Sequence, residues 1–408
     1  MKVKYFLLLL VAITPFKSFS QGGSNYSSIG IGDLFPSTNA AYQAMGSTFI
    51  SVPAENSINV KNPAMWSVAS STRILLGYNF NQHLNETSDA TLFQNNGKIS
   101  GLFTLFNIDK SLGISASFGL HSYSNINYLV SNKFSIEKDG LTQTGKNTFQ
   151  GSGGLSSAYL GASANIIDNF SVGASAFAIF GPIKNSVYTE FDDYYSYNYE
   201  VIKSDYATSW GSRFGIYYYY DNLHFGAFYE FVDDIKFKRE TQFSSSVISD
   251  TIIKSSLSEK FPSQYGVGIS YKTGKFLFSS DFLMMNFKDF KYNPISNSEF
   301  TDAYKLSFGA IRYGNTSRFS EILDRVNYKA GIYYQKLYYK INNQEINELG
   351  LSFGGEIPLG SGGILDVALI LGNRGRSNDY LINEYFCRLF VEISIGEIWF
   401  KPFKRRYE

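Results

Sequence analysis

Chemistry in this chain would have to come from very few side chains. Among 408 residues there are three His (His83, His121 and His224) and a single Cys, Cys387. Metal binding needs His, Cys or carboxylates at ligand spacing, and covalent hydrolysis needs a nucleophile beside a base. No His pair has metal spacing, and neither His-Glu-x-x-His nor Gly-x-Ser-x-Gly occurs. Asp192-Asp193 and Asp233-Asp234 are paired carboxylates of the kind that hold Ca²⁺ in a loop. No third oxygen ligand is placed by spacing, so they read as solvated loop charge. Gly151-Ser152-Gly153-Gly154 has the glycine content of a phosphate cradle, but no Lys-Ser/Thr follows it and no helix starts there. A lone Cys forms no internal disulfide, and Cys387 lies in an alternating stretch that reads as strand. The expectation is a protein with no enzymatic activity, metal or cofactor.

The elements that would carry such residues are written in the composition. Lys+Arg is 36 and Asp+Glu 35, a net charge of +1. Residues 1–20 carry Lys2, Lys4 and Lys17 and no acid, so without them the balance is 33 − 35 = −2. A near-neutral chain lacks the basic field that nucleic acid requires. Charged residues make up 17%, against roughly 25% in soluble domains. Aromatics are also 17%, with 36 Gly and only 9 Pro. The mean hydropathy of −0.14 excludes a helical membrane bundle. Few charges, many aromatics and much Gly fit a transmembrane β-barrel.

The first twenty residues have the form of a secretory signal peptide: a basic Met1-Lys2-Val3-Lys4, an apolar Tyr5–Thr14, and Ser18 and Ser20 before a cut at Gln21. No later stretch offers roughly 18 unbroken apolar residues. Most of the chain beyond residue 71 alternates with a period of two, which no helix can convert into one apolar face. Residues 158–166 set Ala158, Leu160, Ala162, Ala164 and Ile166 against Tyr159, Gly161, Ser163 and Asn165. Residues 170–180, 264–271 and 388–396 alternate likewise. Fourteen strands are expected: 72–82, 97–107, 111–122, 154–166, 169–180, 207–219, 223–233, 263–272, 275–287, 303–312, 326–339, 346–357, 363–372 and 387–400. Tight turns at Asp109-Lys110, Asp168, Asp221-Asn222, Thr273-Gly274 and Gly360-Ser361-Gly362 alternate with loops at 83–96, 123–153, 181–206, 234–262, 288–302 and 373–386. In outer-membrane barrels the short side is periplasmic and the long side extracellular. Residues 313–325 are long where a turn is due, and 340–345 short where a loop is due. On this reading His83 falls in a loop, His121 at a strand end and His224 on the lumen face.

Residues 21–71 precede the first strand and do not alternate. They hold Ala40-Ala41-Tyr42-Gln43-Ala44-Met45-Gly46 and, further on, Asn62-Pro63-Ala64. A barrel of fourteen strands has a lumen wide enough to fill, and this segment is expected inside it. Small residues ending in Ala44-Met45-Gly46, then a polar stretch, then Asn62-Pro63-Ala64 before the first strand resemble the FadL-type outer-membrane transporters of hydrophobic compounds. The resemblance covers nearly the whole mature chain. It implies a fourteen-stranded barrel plugged by an N-terminal hatch at 21–71, with the barrel at 72–400 and a periplasmic tail at 401–408. It further implies a bacterial outer-membrane location and passive uptake of fatty-acid or hydrocarbon-like molecules. Two departures stand out: the acidic pair common upstream of the motif is Glu55-Asn56 here, and Trp399-Phe400 is followed by a basic tail, Lys401 to Glu408.

Two functions fit such a barrel. One is uptake of small hydrophobic compounds through a hatch-gated lumen, with Tyr194, Tyr195, Tyr197 and Tyr199 as an extracellular entry groove. A sideways exit would need a strand with broken hydrogen bonding, for which Pro63 and Pro358 are candidates. The other is a structural barrel subunit of an outer-membrane secretion or assembly complex. A tunnel lined by Phe, Leu and Met favours the first, and a lumen packed shut favours the second. The expected partners are outer-membrane lipid and lipopolysaccharide, a hydrophobic ligand, the barrel-assembly machinery during biogenesis, and complex subunits. The Tyr217–Tyr220, Tyr333-Tyr334 and Tyr338-Tyr339 runs are expected in the aromatic girdles at the membrane interfaces.

Overall fold

A computed structural model describes residues 23–35, 39–53, 56–86, 91–138, 141–193, 196–247, 249–317, 319–360, 362–376 and 381–399. The signal peptide and the 401–408 tail lie outside the described residues. In chain order the strands are β1 (Asp33–Leu34), β2 (Thr72–Glu86), β3 (Thr91–Asp109), β4 (Ile114–Ser122), β5 (Ser124–Lys138), β6 (Leu141–Gly153) and β7 (Ser156–Ile167). They continue with β8 (Phe170–Phe191), β9 (Tyr199–Tyr220), β10 (Leu223–Val232), β11 (Ile235–Ser245), β12 (Thr251–Glu259), β13 (Gln264–Thr273) and β14 (Phe276–Met285). The last are β15 (Ser298–Phe300), β16 (Ala303–Arg312), β17 (Asn327–Ile341), β18 (Gln344–Gly360), β19 (Gly363–Arg374) and β20 (Asn383–Glu397).

The wall is a closed antiparallel barrel. It runs β2–β3–β4–β7–β8–β9–β10 and continues through β13–β14–β16–β17–β18–β19–β20. Pairing of β20 with β2 closes it, so fourteen strands form the wall and no edge is left around its membrane part. Each of the fourteen expected strands coincides with one of them. Alternation decides which side chain faces where. Ile74, Leu76 and Tyr78 on β2 point outward and stand 47–54% exposed, while Leu75 between them is fully buried. Val172, Leu369 and Val391 also fall on the outward, lipid-facing parity.

Several expected loops prove to be strand. The 83–96 stretch is mostly the continuation of β2 and β3, so His83 is a buried strand residue and not a loop residue. The 181–206 stretch is mostly β8 and β9 extended beyond the membrane. The 123–153 and 234–262 stretches fold into the hairpins β5–β6 and β11–β12, which join these extensions as a sheet ordered β5–β6–β8–β9–β11–β12. Above the lipid no outward face has to be apolar, so period-two hydrophobicity fades although the ladder goes on. On this rim Asp205 pairs with Arg239 at 2.7 Å and holds its guanidinium above the ordinary range. The short 340–345 connection is a two-residue hairpin at Asn342-Asn343, both at positive φ (49° and 60°), as a type I′ turn requires.

A lumen filled by the N-terminal segment

The described part of residues 23–71 lies inside the barrel, and nearly all of its side chains are buried. Its local structure is slight: a one-turn α-helix, α1 (Ala40–Gln43), and 3₁₀ turns at Asn25–Ser28 and Pro63–Val68. So little internal structure leaves many backbone groups unpaired, and the inward side chains of the wall supply the partners. Glu392 on β20 accepts from the Ala40 amide at 2.7 Å, placing a carboxylate at the positive end of α1. Asp281 on β14 accepts from Phe49 N at 2.6 Å and Ile50 N at 2.9 Å. Ser352 accepts from Gly46 N and donates to Ala44 O.

Asn62 is the joint of the expected motif. Its Oδ1 accepts from Ala64 N and caps the 3₁₀ turn that Pro63 begins. Its Nδ2 donates to Ile50 O at 2.8 Å within the plug and to Ile216 O at 3.1 Å in the wall. The inner-face glycines make this approach possible. A Cβ on Gly215 would meet Asn62 Oδ1 at 2.1 Å, and one on Gly173 would meet the Pro63 carbonyl carbon at 2.4 Å. Pro63 therefore belongs to the plug and creates no break in the wall. Pro358 sits at an irregularity near the C-terminal end of β18, on the short-loop side.

Buried charge ties plug to wall. Lys61 of the plug lies 3.0 Å from Glu230 on β10, which also pairs with Arg213 on β9. Arg213 donates to Val60 O at 2.7 Å, and Tyr123 and Gln264 complete the cluster. A second cluster joins Arg374 and Arg388 to Glu348, and Arg374 to Asp33 of the plug at 2.7 Å. Glu384 beside it accepts from Ser24 Oγ and Asn25 N, both at 2.7 Å. A third sets Lys329 between Glu356 and Asp366, with Asn56 of the plug on Glu356.

The mouth on the long-loop side is filled by the protein's own aromatic rings. Phe287, Phe290 and Tyr292 are at most 2% exposed. Phe287 stacks on Tyr338 at 4.2 Å, and Tyr292 stacks on Phe237 at 4.0 Å. Tyr338 donates to Ile29 O and Gly32 O, and Tyr339 to Tyr26 O. The girdle expected for Tyr333, Tyr338 and Tyr339 is therefore wrong. Tyr333 has inward parity, and a bulge between Lys336 and Lys340 turns two consecutive rings inward. Tyr218, Tyr219 and Tyr220 are exposed as expected, whereas Tyr217 is buried against His224.

Two cavities among the described residues bear on whether the barrel is open. A cavity among Asp33, Gln43, Lys305, Glu348, Arg374 and Arg388 offers ≈ 60 Å³ to the centres of water molecules, room for a few waters. A larger opening of ≈ 490 Å³ lies between Asn95–Lys98 of β3 and Asn125–Asn127 of β5, strands that share no ladder. Asn95, Asn96, Lys98, Asn125 and Asn127 line it. Ser27 of the plug reaches into it to accept from Asn127 N. Gly153, Gly154 and Gly181, all at positive φ, make the corner where β8 exchanges its partner β7 for β6. The glycine run with the look of a phosphate cradle is this corner.

The His residues show no catalytic pairing. Among the described residues no hydrogen bond joins a His to a Ser side chain; His224 bonds Tyr217 OH and His121 the Ser122 carbonyl. Nor does any group of three potential metal ligands occur among the described residues. Asp192, Asp193, Asp233 and Asp234 are exposed. Of the expected entry groove, Tyr194 and Tyr195 lie outside the described residues. Tyr197 and Tyr199 are 61% and 43% exposed, with Tyr199 near Phe191. The alternation of 388–396 sets Arg388 and Glu392 on the lumen face, but the anchoring role of the inward charges went unread in the sequence, although each sits at lumen parity in an alternating strand.

Solved structures share this architecture. The Pseudomonas putida toluene transporter TodX aligns over 88% of this chain and 98% of its own, at TM-score 0.59 and 15% identity. A Pseudomonas aeruginosa FadL homologue aligns over 91% and 100%, at TM-score 0.60 and 11% identity. The Ralstonia pickettii toluene transporter TbuX aligns over 91% and 99%, at TM-score 0.56 and 13% identity. At such identities the likeness concerns the fold, which is that of the FadL-type outer-membrane barrels. A search of curated proteins gives no match. The family model described as BamG matches residues 2–408, so the chain belongs to the BamG family.

Proposed function

We propose that this protein is a sealed structural barrel of the bacterial outer membrane, a subunit of a secretion or assembly complex. The observation that carries this reading is the filled lumen. The plug is held by three buried ionic clusters and by backbone bonds to Glu392, Asp281 and Ser352, and the mouth is closed by Phe287, Phe290 and Tyr292. A pore for apolar solutes needs an apolar path with modest binding along it. Here the cavity beside Asp33 and Arg374 has room for a few waters only, and its lining carries Lys305, Glu348, Arg374 and Arg388 among apolar side chains. The extended rim sheet β5–β6–β8–β9–β11–β12 supplies a surface outside the lipid for subunits to meet.

Uptake of small hydrophobic compounds is the second reading. It is favoured by the fold shared with toluene transporters and by the unpaired stretch between β3 and β5, a break in the wall of the kind a sideways exit requires. That break is lined by Asn95, Asn96, Lys98, Asn125 and Asn127, and Ser27 of the plug bonds the Asn127 amide at its edge, a polar border that argues for the first reading. One experiment separates the two. The barrel is purified under mild conditions from its native membrane, and vesicles containing it are tested for entry of a fluorescent fatty acid or of toluene. Stoichiometric partner proteins with no uptake above empty vesicles support the structural subunit. Saturable uptake by the isolated barrel overturns it.

A further inference from the structure

Among the described connections on the short-loop side, residues 313–326 are the exception. Elsewhere on this side the chain turns in a few residues, as at Asp221-Asn222 and Thr273-Gly274. The long connection is not slack. Gly314 N donates to Asn327 Oδ1 at 2.8 Å, Asn315 N to Asp324 O at 2.7 Å, and a 3₁₀ turn spans Leu323–Arg325. An ordered loop would normally fold its apolar side chains under itself. This one holds them out: Phe319 is 101% exposed, Leu323 63% and Ile322 46%.

Its lean is set by Tyr328. That residue has outward parity at the start of β17 and is 42% exposed. Its hydroxyl donates to Leu323 O at 3.1 Å. The loop is therefore tied at two points: its start to inward-facing Asn327, which itself donates to Glu356, and its 3₁₀ turn to a ring on the lipid side of the wall. Arg312, also outward, lies over the Tyr328 ring at 5.9 Å. Directly above on the same face are Phe308 and Ile332, 55% and 40% exposed, which belong to the lipid-facing band. An aromatic ring with a cation beside it at the foot of such a band marks the membrane–water interface. Apolar side chains held next to that level gain by entering the headgroup and acyl boundary, while a neighbouring Arg reaches the phosphates.

We propose that the 313–326 loop is a membrane-contacting elbow that lays Phe319, Ile322 and Leu323 into the periplasmic leaflet beside β16 and β17. The occupant of this apolar patch is the phospholipid surface of the barrel's own membrane. The patch adjoins the lipid-facing band through Tyr328, which bonds the Leu323 carbonyl and shares its face with Phe308 and Ile332.

The test uses nitroxide labels on the full-length barrel in phospholipid vesicles. Cys387→Ser removes the native thiol, and single cysteines are introduced by Phe319→Cys, Leu323→Cys and, as an aqueous reference in a short turn, Lys110→Cys. Collision with oxygen and with a water-soluble nickel chelate is measured by EPR. Heat-modifiable gel migration confirms folding of each variant. The expected result is an oxygen-to-nickel collision ratio at 319 and 323 several-fold above that at 110. A ratio equal to the reference overturns the proposal. So does a water-like ratio in vesicles with nickel collisions that fall only when co-purified partner proteins are added back, since the patch would then be a protein docking surface.

Discussion

Replacing Glu230 by Gln is the sharpest perturbation of the plug. Glu230 accepts from Arg213 Nε at 2.7 Å, from Lys61 Nζ at 3.0 Å and from Tyr123 OH at 3.2 Å, and it is fully buried. The amide keeps the shape and removes the only anion of the cluster. Arg213 and Lys61, at most 6% exposed, are left facing a neutral group. Removing one partner of a buried pair costs about 3–5 kcal/mol. The wall ladder does not depend on this side chain, so the cost falls on the closed plug, and its open population should rise by about two to four decades. Lys61→Met is the matched control. It leaves Glu230 paired with Arg213 and keeps the Arg213 bond to Val60 O, so its effect should be smaller. Hydrogen exchange by mass spectrometry on the reconstituted barrel reads both. Peptides from 56–68 should exchange at least about a hundredfold faster in Glu230→Gln, while wall peptides from 264–271 stay unchanged. Unchanged plug exchange in a folded Glu230→Gln barrel, or a larger effect of Lys61→Met, would refute the claim that this cluster holds the plug.

Asn62→Ala combined with Pro63→Ala should speed exchange of the plug and leave heat-modifiable migration unchanged, because Asn62 bonds plug to wall and takes no part in the ladder. Val391→Arg, on the outward face of β20, should lower folding free energy in bilayers by about 2–4 kcal/mol near the midplane, read by urea titration. An epitope tag inserted after Val247, at the β11–β12 tip, should be labelled on intact cells. The same tag after Lys110 should be silent until the outer membrane is opened.

The wall was legible because lipid imposes a strict rule. Each membrane strand must turn one apolar side outward, so Ala158, Leu160, Ala162 and Ala164 mark β7 by spacing alone. The rule lapses where the lipid ends. Strands β5, β6, β11 and β12 carry charge and Ser on an outward face that meets water, as at Lys236, Lys238 and Ser256, and nothing in the hydrophobic pattern separates them from loop. The same limit misplaced His83, which stands on β2 above the region where Ile74 and Leu76 give the alternation away. The tyrosine runs failed for another reason. Composition places Tyr at interfaces, but a bulge in β17 sends Tyr338 and Tyr339 inward, and a bulge leaves no mark in hydrophobicity.

The plug was legible as a position and not as a mechanism. Inward Gly and Ser suit a water-filled channel as well as a packed one, so parity alone does not separate a pore from a seal. The separating signal is the coincidence of two residue types on the inner face. Gly215 and Gly173 leave no room for even a Cβ against Asn62 and Pro63, which a solvated lumen would never require. Arg213, Glu230, Asp281, Glu348 and Glu392 sit at inward positions in a chain with only 17% charged residues. A channel would leave such charges in water, where they need no partners. Here Glu392 and Asp281 meet amides, Glu230 the Lys and Arg213 a carbonyl of a segment too poor in secondary structure to satisfy itself, and Glu348 pairs with Arg374, which also holds Asp33 of that segment. Inward glycine beside inward charge, facing a non-alternating N-terminal segment of the same chain, is thus the pattern of a barrel built around its own plug. The likeness to the solved structures lies in the fold of the wall, and the reading of a seal rests on what the wall encloses.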